Sequence, residues 1–272
     1  MTQAYLQPVI ELVKQAGLAI LPYWRADVAV QEKADASPVT AADLAAHQLL
    51  SQGLKALTAE VPVLSEEAAD IALSERAAWQ RWWLVDPLDG TKEFIAGSEE
   101  FTVNVALIEQ GQVVFGVVGV PATGCCYFGG KDFGAFKQGA DGAVQAISMR
   151  EATEQGFTVV ASKRHSSAAQ EALLAAISQT FGEPQLANIG SSLKFCLLAE
   201  GSADCYPRLA PTSQWDTAAA QGVLEGAGGQ VLQLSGEPLR YDARESLLNP
   251  FFLALPLKAP WRAELIELAR TL

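Results

Sequence analysis

The chain of 272 residues is half hydrophobic, is only 18% charged and carries a net charge of −12. This composition is typical of a globular protein with an ample core, and the length fits one or two domains. The acidic charge argues against a general nucleic-acid or membrane-surface binder, which carries a basic stripe, but it leaves small anionic substrates open because a bound divalent metal reverses the local field.

The first half of the chain is predicted to form two helices followed by β-strands. Apolar residues recur at helical spacing over 4–24, and Thr40 with Asp43 forms a capping-box-like start for a second helix over 41–59. The apolar run at 82–85 is expected to be a buried strand that ends at the Asp-Pro that follows it. The other strands of this half are predicted at 61–64, 101–109, 112–120, 125–128, 134–137 and 145–148. All but the first of these are expected to form an antiparallel meander.

The second half of the chain alternates strands and helices, which is typical of an α/β unit. Its strands are predicted at 157–162, 185–188, 204–208, 230–234 and 251–254, and its helices at 168–180, 191–200, 217–227 and 261–272. Gly, Asp and Glu become frequent near 140–153, so we place there the boundary between an N-terminal part, 1–150, and a C-terminal part, 151–272. No long linker separates the two parts, and they should pack closely.

The four cysteines, Cys125, Cys126, Cys196 and Cys205, form no metal-ligand pattern, and we interpret them as reduced structural thiols. The N-terminal segment lacks the pattern of a secretory signal, and no apolar run approaches the roughly 18 residues of a transmembrane helix. We therefore expect a cytoplasmic protein. Peripheral association with the inner membrane and formation of a homodimer stay open.

Four acidic residues stand at predicted element ends next to apolar sequence: Glu66, Asp86, Asp89 and Asp216. Anionic side chains where a buried strand stops are costly unless a cation or hydrogen-bond donors meet them. Mg2+ prefers such oxygen ligands, usually carboxylates together with phosphate oxygens and water. The pattern predicts a metal site for a phosphorylated substrate.

Each acidic residue also has a structural interpretation that the sequence leaves open. Asp216 precedes an alanine-rich helix and could cap its N-terminus. Asp86 and Asp89 stand before Pro and Gly, where Asp favours turns. Glu66 could be a solvated turn residue, and Asp43 could serve the capping box alone.

The motifs LSEE at 64–67, DPLDGTKEF at 86–94 and WDTAA at 215–219, with SPVTAAD at 37–43 upstream, closely resemble those of the inositol monophosphatase superfamily. Its members are Mg2+-dependent, often lithium-sensitive phosphatases. The resemblance runs over essentially the full chain, in the same order and spacing. It implies an α+β, layered αβαβα fold of the sugar-phosphatase type, with two helices and an antiparallel sheet in the N-terminal part and an α/β unit after it.

Within the superfamily, Lys92-Glu93-Phe94 and the stretch 190–209 are similar to the 3'(2'),5'-bisphosphate nucleotidase branch. Bacterial members of that branch hydrolyse adenosine 3',5'-bisphosphate to AMP and phosphate in sulfate assimilation, and its phosphosulfate analogue is a further candidate substrate. Two departures are visible. Ser65 replaces the glycine of the common G-E-E element, and the loop 210–215 is short, which leaves the adenine pocket undefined.

The resemblance also implies roles for the acidic residues and for Thr91. Two or three Mg2+ ions would be held by Glu66, Asp86, the Leu88 carbonyl, Asp89 and Asp216. Asp43 would accept the Thr91 hydroxyl proton, and Thr91 with Glu66 would orient and deprotonate the attacking water. Clustered metal ions would clamp the phosphoryl oxygens and stabilise the leaving alkoxide.

Substrate recognition is expected mainly from the second half. By position in the family, the substrate-binding residues are Gly90, Thr91, His165, Ser191, Lys194, Arg208 and Asp216. Lys194 and Arg208 fit the second phosphate, because a phosphate needs fixed cations and Arg can bind it bidentately. Both could instead be surface cations, and His165 could be an ordinary loop residue.

Two other functions compete with the nucleotidase. A phosphatase of the same fold could act on inositol phosphate, fructose bisphosphate or another sugar phosphate. A non-catalytic regulator could have kept the scaffold, although the intact set of acidic residues with Thr91 speaks against it.

Overall fold

The computed structural model describes residues 2–26, 31–32, 38–151, 156–161 and 167–271. The helices are α1 Leu6–Ile20, α2 Ala41–Leu57, α3 Leu73–Arg76, α4 Thr91–Ile95, α5 Ala168–Phe181, α6 Leu193–Ala199, α7 Ala218–Gly226 and α8 Arg262–Arg270. The strands are β1 Gln31–Glu32, β2 Pro38–Val39, β3 Val63–Ser65, β4 Arg81–Asp89, β5 Thr102–Glu109, β6 Gln112–Val120, β7 Cys125–Gly130, β8 Gly134–Gln138, β9 Val144–Ile147, β10 Thr158–Ala161, β11 Gln185–Asn188, β12 Tyr206–Arg208, β13 Gly229–Gln233 and β14 Phe252–Pro256.

The two N-terminal helices form the outer layer on one side of the molecule. The apolar stripe of α1, including Val9, Ile10 and Val13, is buried against α2 and the strands behind it. The predicted capping box at the start of α2 is confirmed, since Thr40 and Asp43 exchange hydrogen bonds there. The apolar periodicity thus places both helices on one face of a sheet.

Within the described residues that sheet has seven strands, which follow one another in chain order from β3 to β9. The meander from β4 onward is antiparallel, as predicted, and Gln110 and Gly111 form the β5–β6 turn with φ of 50° and 72°. The antiparallel sheet that the resemblance implied for this part is wrong at one edge, because β3, which lay outside the predicted meander, runs parallel to β4. The segment between them, which includes α3, is long enough for the crossover that a parallel pair requires.

The opposite face of this sheet is covered by α7, against which α6 packs. α7 lies so close to β6 that a Cβ atom at Gly116 would overlap the Ala219 carbonyl, and one at Gly222 would lie 2.6 Å from the Gly116 backbone nitrogen. Glycine at these two positions permits the close approach. As a result, the N-terminal end of α7 lies beside the strands that carry the acidic residues of the first half.

The C-terminal strands form the next layer. β14 pairs antiparallel with both β12 and β13, and β10 pairs parallel with β11. A hydrogen bond of 2.8 Å from the Val160 amide to the Cys205 carbonyl joins β10 to the segment before β12. A third apolar cluster, including Leu173 of α5 and Leu265 of α8, covers the far side. The predicted αβαβα layering of an α+β protein is confirmed, with the described C-terminal strands forming a parallel pair and a separate antiparallel sheet of three strands.

The largest apolar cluster combines side chains from both halves of the chain, such as Leu84 and Val118 with Phe195 and Phe252. The two halves therefore share a core, and the division into 1–150 and 151–272 stays a prediction. The four cysteine thiols are unpaired, in agreement with their interpretation as structural thiols. No helix among the described residues is both long and apolar enough to cross a bilayer.

Candidate metal centre

The stretch that carries Asp86 and Asp89 lies at the end of β4. The sequence predicted that the strand ends at Asp86. It instead continues to Asp89, with an irregularity in its pairing to β5. Asp86 faces Asn104 and Asp89 faces Thr102, so two residues of β4 oppose one of β5 between these pairs. In a regular strand, residues three positions apart point to opposite faces. The extra residue in β4 lets the side chains of Asp86 and Asp89 point to the same face. The turn is stabilised by the Leu88 amide, which donates to Asp86 Oδ1 at 3.0 Å.

Glu66, Asp86 and Asp216 come together at this edge of the sheet. Each offers a carboxylate oxygen, and these oxygens lie within 4.8 Å of one another. Glu66 directly follows β3, whose last residue, Ser65, pairs with Val85 of β4, so the parallel pairing sets Glu66 beside Asp86. Asp216 arrives from the other half of the chain, just before α7. Such a set of oxygens suits a hard divalent cation.

The electrostatics of the cluster agree with that use. Burial raises the pKa of Asp86 well above its usual value, and the nearby charges of Glu66, Asp89 and Asp216 raise it further. Burial, followed by the charges of Asp89 and Glu66, raises the pKa of Asp216 to about 7. Carboxylates crowded in this way repel one another, and a divalent cation would relieve the repulsion.

Asp89 lies beside this group but is held differently. Its Oδ2 atom accepts hydrogen bonds from the Ser192 amide at 2.6 Å and from the Ser192 hydroxyl at 2.9 Å. Asn104 Nδ2 and Thr102 Oγ1 each approach the same oxygen at 3.5 Å. The donors that the described residues supply to this carboxylate therefore converge on one of its two oxygens.

Asp43 and Thr91 are brought together as predicted. Asp43 Oδ2 accepts from the Thr40 amide at 2.8 Å, while Oδ1 lies 3.3 Å from the Thr91 hydroxyl. That hydroxyl also lies 3.2 Å from the Leu88 carbonyl. Asp43 thus does more than cap the helix, because one carboxylate oxygen caps α2 and the other meets Thr91; its role in the reaction stays a prediction.

The capping interpretation of Asp216 is wrong. The N-cap of α7 is Thr217, and Asp216 Oδ2 instead accepts from the Ser213 amide at 2.8 Å. The side chain is thus fixed by its own loop rather than by the helix. Gly90 precedes α4 with φ of +89°, and a Cβ atom there would lie 2.9 Å from the Glu100 carbonyl oxygen, so the tight turn requires glycine.

The two cations among the predicted substrate-binding residues, Lys194 and Arg208, lie next to the acidic cluster. Lys194 is buried, its ammonium group donates to the Ser191 carbonyl at 3.1 Å, and burial lowers its pKa despite the opposing charge of Asp89. Arg208 donates to the Pro211 carbonyl at 2.8 Å. Its charge lowers the pKa of Asp216 and of Lys194, which places it near both. His165 falls outside the described residues.

Ser191 combines two unusual features. Its backbone has φ of 47°, a region that non-glycine residues rarely adopt. Its hydroxyl is buried and has no hydrogen-bond partner among the described residues. Buried hydroxyls are normally paired, so a backbone held in this conformation with an unpaired hydroxyl suggests a group prepared for a ligand.

Some residues of the site carried no sequence signal. Ser192 contacts Asp89 and the Asp216 carbonyl, and Asn104 donates to the Ser192 hydroxyl at 3.0 Å. Ser65, which departs from the family glycine, has its hydroxyl 2.8 Å from His47 Nδ1. Only the position of Ser192 beside Ser191 could have indicated any of these contacts.

Comparisons with known proteins agree with the fold. A model of the inositol monophosphatase family matches residues 1–269. The 3'(2'),5'-bisphosphate nucleotidase CysQ of Escherichia coli (strain K12) is 47% identical over 249 residues, which cover 91% of this chain and 98% of the relative. The protein of the same name from Aggregatibacter actinomycetemcomitans is 38% identical over 262 residues, or 96% of each chain.

Solved structures give the same picture. The crystal structure of CysQ from Bacteroides thetaiotaomicron, a bacterial member of the inositol monophosphatase family, matches with a TM-score of 0.82 at 37% identity, covering 93% of this chain and 97% of that one. An IMPase from Thermotoga maritima matches with a TM-score of 0.78 at 22% identity, covering 98% and 97%. The second likeness supports the fold alone.

Proposed function

Because the chain belongs to the inositol monophosphatase family, we propose that it is a divalent-metal-dependent phosphatase that hydrolyses the 3'-phosphate of adenosine 3',5'-bisphosphate to give AMP and phosphate. The phosphosulfate analogue is a second candidate substrate. The observation that carries the proposal is the meeting of the carboxylates of Glu66, Asp86 and Asp216 with the cations Lys194 and Arg208 at one edge of the sheet. The relatives named 3'(2'),5'-bisphosphate nucleotidase support the choice of substrate.

The metal ligands in this proposal are the side chains of Glu66, Asp86, Asp89 and Asp216 and the carbonyl of Leu88. We assign them to two or three Mg2+ ions, which suit an all-oxygen site. Bound there, Mg2+ would neutralise the phosphoryl oxygens and make a water more acidic. The protein's part is to hold these ligands close together, and the raised pKa values of Asp86 and Asp216 reflect first their burial and then the closeness of the other carboxylates.

Thr91, Asp43 and Glu66 act on the water. With the Leu88 carbonyl engaged as a ligand, the Thr91 hydroxyl is left to donate to Asp43, and its oxygen can accept a proton from the water. Glu66 orients the same water. The water oxygen then bonds to phosphorus while the bond from phosphorus to O3' breaks; the proton of the water passes to Thr91 as Thr91 passes its own to Asp43, and the O3' oxygen takes up a proton from solvent.

The nucleotide is held by residues of the second half. Lys194 and Arg208 bind the 5'-phosphate, and the low pKa that burial gives Lys194 would return toward its usual value beside a phosphate dianion. Ser191 supplies its unpaired hydroxyl, and Gly90 lets backbone amides approach the phosphate that is cleaved. His165 is retained as a substrate-binding candidate by its position in the family.

Lithium sensitivity, a homodimer, a cytoplasmic location and association with the inner membrane surface stay predictions. The weakly held metal position that lithium inhibition requires would be the one with the fewest charged ligands. None of these properties is needed for the reaction itself.

The proposal is tested by phosphate release from adenosine 3',5'-bisphosphate, inositol 1-phosphate and fructose 1,6-bisphosphate, each with Mg2+ and with EDTA. We expect Mg2+-dependent release with the nucleotide strongly preferred. Preference for inositol or sugar phosphate would show that the proposed substrate is wrong but that the metal-dependent phosphatase reaction is right. No release from any of the three would leave only a non-catalytic role.

A further inference from the structure

Ser192 joins three segments that are far apart in the chain. Its amide and its hydroxyl both donate to Asp89 Oδ2, at 2.6 and 2.9 Å, and Asp89 lies 103 positions earlier. The hydroxyl is also within hydrogen-bond distance of the Asp216 carbonyl, at 2.8 Å, so its one proton is shared between Asp89 and Asp216, while its oxygen accepts from Asn104 Nδ2 at 3.0 Å. Only 2% of the Ser192 surface is exposed, so these contacts are shielded from water.

The contacts of Ser192 give the two oxygens of the Asp89 carboxylate different roles. The donors supplied by Ser192, Asn104 and Thr102 all approach Oδ2 rather than Oδ1. A carboxylate held through one oxygen keeps a fixed direction and has its second oxygen available for a ligand bond. Outer partners that orient ligating carboxylates strengthen metal binding for this reason.

A second observation at this junction points to a ligand. Asn104 is only 1% exposed, and its Oδ1 atom has no hydrogen-bond partner among the described residues. Asn104 stands opposite Asp86 in the β4–β5 pairing, beside the acidic cluster. A buried amide oxygen normally has a partner, so its lack of one here fits a site completed by a cation or by the water around it.

We propose that Ser192 is a positioning residue for the metal centre: it fixes Asp89 of the N-terminal half and the Asp216 loop of the C-terminal half at the spacing that a divalent cation requires. The proposal rests on the metal assignment made above and extends it to a residue that touches neither substrate nor metal. It also gives a reason why the segment that carries Ser191 and Lys194 is hydrogen-bonded to Asp89.

The test is Mn2+ binding to the full chain, freed of metal with a chelator, measured by calorimetry without nucleotide and well below the melting temperature. We expect Ser192→Ala to raise the dissociation constant about tenfold. Ser192→Cys should do the same, since the thiol keeps much of the volume but donates weakly. The matched control is Ser178→Ala, which removes a serine hydroxyl bonded to Glu183 on the exposed face of α5.

A merely structural role would lower the melting temperature and leave the Mn2+ dissociation constant of the folded protein unchanged, and that result would overturn the proposal. If Ser192→Ala does not fold, the comparison is decided by Ser192→Cys. A second readout is turnover of the nucleotide, which should recover at saturating Mg2+ with KM for the nucleotide unchanged. Wild-type protein that binds Mn2+ but releases no phosphate would contradict the proposed function, while the Mn2+ comparison would still decide the role of Ser192.

Discussion

Without divalent ions, the protein should lose stability as the pH rises from about 5 to about 8, because of its own metal ligands. The pKa of Asp216 is raised from 3.8 to about 7, so the folded chain keeps a proton that the unfolded chain has lost. The free energy of unfolding falls with rising pH wherever the folded chain binds more protons. Asp86 changes in the same direction.

The expected size of this effect follows from Asp216 alone. Between about pH 5 and about pH 8, the raised pKa of Asp216 in the folded chain makes the free energy of unfolding fall by roughly 2.5 kcal/mol, since one pKa unit is worth about 1.4 kcal/mol. For a chain of this size, about 1 kcal/mol changes the melting temperature by about 2–4 °C, which gives a fall of roughly 5–10 °C. Mg2+ should reverse most of it, since the ion binds the deprotonated carboxylates of the folded state only.

The assay is thermal unfolding in EDTA and in Mg2+ at both pH values for the wild type, Asp216→Asn and Asp141→Asn. Asn at position 216 can still accept from the Ser213 amide, so the loop should survive. Asp141, exposed between β8 and β9, is the control for loss of one negative charge. We expect the dependence on pH in EDTA to flatten for Asp216→Asn alone. Parallel curves for all three proteins would refute the electrostatic argument.

The other predictions concern turnover of the nucleotide. Asp89→Asn should lower activity by at least about 100-fold with the fold intact, because a metal ligand and its charge are lost, and retained turnover at saturating Mg2+ would remove Asp89 from the metal site. Thr91→Ala should lower kcat about 100-fold with little change in KM, since Thr91 acts on the water; a change in KM alone would contradict that role. Arg208→Ala should lower kcat/KM for the bisphosphate by about 30-fold or more but spare a simple monophosphate, whereas Arg240→Ala, in an exposed pair with Asp242, should change neither. Li+ should inhibit the wild type, and insensitivity would speak against a weak, exchangeable metal position.

Much of the architecture could be predicted because it rests on local patterns. The apolar stripe of α1 and the capping box at Thr40 and Asp43 are short-range signals, and both appear where expected. The alternation of strands and helices after residue 156 gave the C-terminal layers. The direction of β3 could not be read in the same way, because a three-residue strand does not encode whether its neighbour runs parallel or antiparallel.

The charged residues of the site could also be located from local sequence patterns, whereas the contacts between them could not. Its charged members stand in compact motifs, and the resemblance of these motifs to a family located them. The extra residue in β4 and the exchange of hydrogen bonds among Asp89, Asn104 and Ser192 depend on contacts between distant segments. No periodicity or spacing within one segment contains that information. The same holds for Asp216, whose partner is its own loop at Ser213 rather than the helix that follows.

The most direct test of the central claim is the identity of the product formed from adenosine 3',5'-bisphosphate in Mg2+, followed by 31P nuclear magnetic resonance. If Lys194 and Arg208 hold the 5'-phosphate while the acidic cluster acts on the other, the signal of the 3'-phosphate should disappear and 5'-AMP should accumulate with one equivalent of inorganic phosphate. EDTA should stop the reaction. Accumulation of 3'-AMP, or loss of both phosphates at equal rates, would contradict the orientation of the nucleotide on which the account depends.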